Sequence, residues 1–157
     1  MSSTITLHFF KRAFTLLELI LVVATMTILT VGGVGSYRNF GKNKQLTSTA
    51  EIISADIRYA QSKAMIGDGG YKWGVHFVST TTKSYYETFS TLTNYASGTT
   101  TATTTLSDKI IFSDPTMGNS KDILFSKISG NTTATSVSIT SEGLIKTINV
   151  SAIGTVY

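Results

Sequence analysis

Cysteine is absent from this chain, which excludes a disulfide framework, a thiolate metal site and a thiol nucleophile. Charge is scarce as well: only 14% of the residues are Asp, Glu, Lys or Arg, against 41% hydrophobic ones. The polar surface must therefore come from hydroxyls and amides, and Thr and Ser are indeed dense from Ser79 to Thr105 and from Ser126 to Ser141. A formal net charge of +4 suits weak attraction to acidic surfaces and falls short of a composition dedicated to nucleic acid. No framed nucleophile, phosphate-binding glycine loop or metal-ligand spacing occurs, so an enzyme is not expected. With 157 residues the chain holds one modest domain plus an appendage.

What is present is a long apolar run. From Phe14 to Val34 the sequence reads FTLLELILVVATMTILTVGGV, 21 residues with one charge, Glu18. That is close to the roughly 20 residues a helix needs to span a bilayer. A buried core helix of this length would show a polar face. A secretory signal peptide fits Lys11-Arg12 at its start and Gly33-Val34-Gly35 as a cleavage site, although its apolar part is usually only about 7–15 residues. A retained membrane helix is the third choice. Lys11 and Arg12 before the run and Arg38, Lys42 and Lys44 after it leave the orientation undecided. Glu18 discriminates among these, because an ionised acid inside a spanning helix costs roughly 2.5–3.5 kcal/mol, less near an end. In the first turns the helix dipole favours an anion, and a cationic partner would remove the rest of the penalty. Such a partner arises if the chain is cut just before Phe14, leaving an amine.

The residues Lys11-Arg12-Ala13 followed by Phe14-Thr15-Leu16-Leu17-Glu18 resemble the processing site of type IV pilins and type II secretion pseudopilins. That resemblance implies removal of a leader, 1–13, by a prepilin peptidase that cuts between Ala13 and Phe14 and N-methylates Phe14. It implies that Glu18 pairs with the terminal amine of a neighbouring subunit during assembly. The family usually places Gly before the cut, where Ala13 stands here. The resemblance further implies a single-pass inner-membrane protein with its globular part outside the cytoplasm, later part of a filament. Its partners would be other pilin or pseudopilin subunits, the peptidase and methyltransferase, and indirectly a membrane platform protein and an assembly ATPase. Gly32, Gly33 and Gly35 close the apolar run, each costing roughly 0.8–1 kcal/mol in a helix interior. They mark either a helix end or, as in related filaments, a point where the helix yields.

Behind the glycines Leu46, Ala50, Ile53, Ile57, Ala60 and Ala64 recur in steps of four and three, one stripe on a helix. Lys44, Glu51, Arg58 and Lys63 lie off it, and Gly67 is placed to cap the end. One continuous helix from Phe14 to Ile66 would be about 80 Å long at 1.5 Å per residue, so its front half should project. Period-two patterning predicts a strand over YKWGVHFVS, paired in a hairpin with SYYETFSTL. The stretch 94–107 has no periodicity and reads as a long exposed loop. KIIFS, DILFSKI, TATSVSIT and LIKTINVSAI follow as strands, separated by turns at Asp114-Pro115, Gly130-Asn131 and Glu142-Gly143. The expected fold class is α+β: a long N-terminal helix with a transmembrane front half (14–35) and an amphipathic rear half (36–66). The rear half packs on an antiparallel β-sheet region (71–157) of pilin-like architecture. Within the family, DIRYAQSKAM and the short C-terminal strands resemble H-type minor pseudopilins and minor pilins.

Chemistry beyond assembly is sparse. His76 reads as an ordinary strand residue. Asp114, Asn119 and Asp122 offer oxygens of the kind calcium takes, without the spacing of a recognised calcium loop, so no cofactor is expected. Asn131-Thr132-Thr133 and Asn149-Val150-Ser151 match the frequent glycosylation pattern. Lys109, Lys121, Lys127 and Lys146 are read as solvated surface, with a small DNA-contacting patch as the alternative. The chain is therefore expected to be a structural subunit, minor in abundance, of a pilus-like or pseudopilus filament assembled from the inner membrane by helix bundling. The alternative is a minor pilin that binds DNA or another ligand at the cell surface.

Overall fold

The computed structural model describes residues 15–157, leaving out the side chains of residues 31–39. It divides into two compact units at Phe40/Gly41. The helix α1 has the bounds Leu16–Met65. With side chains it is described as two pieces, 16–30 with 15 residues and 40–65 with 26.

In the first unit, Thr15 ends the front piece: its Oγ1 and its carbonyl both accept from the Glu18 N–H, at 3.3 and 3.1 Å. The hydroxyls of Thr25, Thr27 and Thr30 bond back to the carbonyls of Leu21, Val23 and Met26 at 2.7 to 3.0 Å, which satisfies them inside an apolar segment. Two expectations are corrected here. No helix among the described residues is long and apolar enough to cross a membrane, so the transmembrane front half at 14–35 and the single-pass inner-membrane location are withdrawn. Within this stretch the described side chains are those of residues 16–30, fewer than the roughly 20 a span needs. Ala13 and Phe14 lie outside the described residues, and Gly32, Gly33 and Gly35 fall within the bounds of α1, in the stretch whose side chains are left out.

In the second unit, seven strands form two antiparallel sheets where six strands in one sheet were expected. A four-stranded sheet has the order β3-β2-β1-β5, built from Lys72–Val78 (β1), Tyr85–Thr91 (β2), Thr99–Thr105 (β3) and Ser120–Phe125 (β5). A three-stranded sheet has the order β4-β6-β7, from Ile111–Asp114, Thr135–Ser141 and Leu144–Val150. The extra strand is β3, inside the stretch expected to be a loop. All seven of its residues are exposed, so no apolar alternation marks it. Thr favours extended backbone, and β2 supplies the ladder.

One core joins the rear helix piece to both sheets. Leu46, Ile53, Ile57, Ala60 and Ala64 are fully buried, with Ala50 packed beside them, as the helical stripe requires. They meet Trp73, Val75 and Phe77 of β1, Tyr86 of β2, Ile123 and Phe125 of β5, and Phe112, Val137, Ile139, Ile148 and Val150 of the smaller sheet. Gly67 takes a left-handed conformation (φ 65) after the helix, as a C-terminal glycine should. The chain end returns to β7 through a Val150–Val156 bridge, and the Arg58 guanidinium donates to the Val156 carbonyl at 3.0 Å.

Candidate functional site

Two regions invite a functional reading. The first is the front helix piece, where ten large apolar side chains from Leu16 to Leu29 are 41–75% exposed. Glu18 stands in its first turn, and no cation pairs with it among the described residues. Thr15-Leu16-Leu17-Glu18 is the T-x-x-E of a capping box, and its Thr arm is formed by the bond from the Glu18 N–H to Thr15 Oγ1. That bond uses the Glu18 backbone N–H and leaves the carboxylate uncommitted among the described residues.

The second region is the outer face of the four-stranded sheet, away from the helix. Pairing register lines up Asp122 of β5, His76 of β1, Glu87 of β2 and Thr103 of β3 in one cross-strand row. His76 Nδ1 contacts Asp122 Oδ1. On the other side of the row, Glu87 accepts from the hydroxyls of Tyr95 (2.5 Å), Thr103 (3.1 Å) and Thr100 (3.4 Å). The short 3-10 turn Tyr95–Ser97, capped by Asn94 Oδ1 accepting from the Ser97 N–H, lays Tyr95 across this face. The Tyr95 ring stacks on His76 with centroids 3.6 Å apart and planes 8° from parallel, and meets Phe89 edge to face at 5.0 Å. Phe89 in turn lies over Gly74, where a Cβ would come within 3.0 Å of its ring. Residues 73 to 77 are consequently all buried, where alternation predicted one wet face.

Electrostatics follow from these bonds. The Tyr95 hydroxyl, ahead of the two threonines, holds the Glu87 carboxyl below its usual range. The carboxylate in return pushes the Tyr95 phenol up to about 12. On the inner face burial, reinforced by a 2.5 Å bond to Asp56, pushes the Tyr86 phenol up.

Asp114, Asn119 and Asp122 do not converge. Asp114 pairs with Lys121 at 2.5 Å, Asn119 donates to Thr116 Oγ1 at 2.8 Å, and Asp122 serves His76. Among the described residues no group of three His, Asp or Glu could hold a metal ion. Of the four C-terminal lysines, Lys121 is held by Asp114 and the Ser136 carbonyl, while Lys109, Lys127 and Lys146 are exposed. No protein-family model matches the chain, and neither a curated protein nor a solved structure matches it significantly.

Proposed function

We propose that this chain is a structural subunit of a pilus-like or pseudopilus filament, assembled by bundling of the N-terminal helices of several copies. The observation that supports this is the front helix piece: ten large, exposed apolar side chains with one carboxylate in the first turn. Burying a large apolar side chain yields roughly 1.5–3 kcal/mol. Ten of them give an upper bound of roughly 15–30 kcal/mol, which exceeds an association cost of about 4–15 kcal/mol. In this proposal cleavage between Ala13 and Phe14 creates the N-methylated amine, and Glu18 meets the amine of an adjacent copy. Charge pairing within an apolar bundle then fixes register, since a lone buried carboxylate is strongly unfavourable.

Two substitutions separate this role from helix capping. Gln at position 18 keeps a side-chain oxygen that can accept from the Thr15 N–H and loses the charge, whereas Ala loses both, and the bond from the residue-18 N–H to Thr15 Oγ1 survives in each. With a charge-pairing role, Glu18→Gln and Glu18→Ala are both processed at Ala13/Phe14 but are missing from sheared filaments on immunoblots. Normal incorporation of Glu18→Gln overturns the pairing role.

A further inference from the structure

The outer-face row borders an open cleft of about 550 Å³ at one end of the four-stranded sheet, with His76 in its floor. We propose that this cleft is a carbohydrate-binding site, taking a neutral polyhydroxylated ligand on an aromatic wall of Tyr85 and Tyr95. Its volume falls within the ordinary range for small-ligand sites, about 300–1,000 Å³.

The cleft is held in shape before any ligand arrives. Tyr95 is fixed by its stack on His76 and its bond to Glu87. The two rim loops are joined to each other by backbone bonds, Ser79 N–H to the Asn119 carbonyl at 3.1 Å and Gly118 N–H to the Ser79 carbonyl at 2.7 Å. Thr80 Oγ1 closes the first loop on Lys83 by donating to its carbonyl and accepting its N–H. Pre-formed walls of this kind reduce the ordering cost of binding.

Its chemistry selects the ligand class. The hydroxyls of Thr81, Tyr85 and Ser120 line the space with no intramolecular bond among the described residues, and Asn119, whose Nδ2 is engaged by Thr116, offers Oδ1 as an acceptor. Hydroxyls both donate and accept, which suits the alternating demands of sugar hydroxyls, and a tyrosine face suits the apolar face of a pyranose ring. An anion is disfavoured because the carboxylates of Asp122 and Glu87 lie in the adjoining row. A cation finds those carboxylates already engaged, by His76 and by three hydroxyls respectively.

The test uses the full chain, kept dispersed in a zwitterionic, sugar-free detergent because of its exposed apolar helix. Saturation-transfer NMR against methyl glycosides of glucose, galactose, mannose and N-acetylglucosamine is followed by a glycan array and titration of the best oligosaccharide. The expected result is saturable binding, with a Kd of order 1 mM or tighter. It should weaken at least tenfold in Tyr85→Ala, weaken severalfold in Asn119→Ala, and be unchanged in Thr101→Ala on β3. Thermal melts verify folding, and should Tyr85→Ala fail to fold, the exposed loop variant Asn119→Ala decides. Absence of saturable binding to every sugar overturns the proposal, as does equal binding by the folded cleft variants. Filament assembly plays no part in these measurements, so their failure is separate from failure of the filament proposal.

Discussion

Gly74 sits at the centre of β1 and is the position on which the outer face depends. A Cβ there would lie 2.5 Å from the Ile123 carbonyl oxygen on β5 and 3.0 Å from two ring carbons of Phe89. The ring could give by a few tenths of an ångström, but the oxygen belongs to the neighbouring strand and moves only with the ladder. Overpacking of this kind costs about 1–3 kcal/mol, and relief of glycine's conformational entropy returns about 0.5–1 kcal/mol. Gly74→Ala should therefore lose about 1 kcal/mol, which for a domain of this size lowers Tm by roughly 3–6 °C. The single tryptophan, Trp73, is buried in the same strand and provides the fluorescence signal for urea unfolding. Gly41→Ala is the internal control. Nothing lies within 4 Å of a Cβ at this helical position, so the same substitution should gain up to about 1 kcal/mol there. If Gly74→Ala matches or exceeds the wild-type urea midpoint, the close approach of Phe89 and β5 described above is wrong.

Further outcomes follow from the hydroxyl–carboxylate bonds. Glu87 has a lowered carboxyl pKa, so its contribution is present above the usual carboxylate range and is lost as pH falls through the lowered value. Tyr95 has a raised pKa, so its contribution is present below about 10 and is lost as pH rises through about 12. Urea midpoints measured against pH should fall at both extremes in the wild type, and Tyr95→Phe should flatten both falls. Unchanged flanks in that variant would refute the assignment. Tyr86→Phe removes the bond to Asp56 and should cost about 1.5–3 kcal/mol at neutral pH, the range for a hydrogen bond to a charged group. A loss under 0.5 kcal/mol in urea melts would mean that the bond is not made in solution.

Much of the second unit was legible because burial imposed a period. Leu46, Ile53, Ile57, Ala60 and Ala64 announce one buried helix face, and Trp73, Val75 and Phe77 one buried strand face. The Thr-only strand β3 was invisible for the opposite reason: with both faces exposed, nothing alternates. His76 illustrates a deeper limit. Its environment comes from Asp122 and Glu87, 46 and 11 positions away, and depends on strand register, which the local sequence around His76 does not contain. The same holds for Asp114, Asn119 and Asp122, close in sequence but directed to three different partners. At the front, composition favoured a membrane span, whereas no helix among the described residues is long and apolar enough to cross one. The T-x-x-E cap was readable and was overshadowed by the charge of Glu18.

The filament proposal rests on a new chain terminus that brings a positive charge to Glu18. Intact-mass and N-terminal mass spectrometry of the protein, purified from cells with an active prepilin peptidase, reads that terminus directly. The expected species begins at N-methylated Phe14. A chain that still begins at Met1, or one that begins at Ser36, would contradict it.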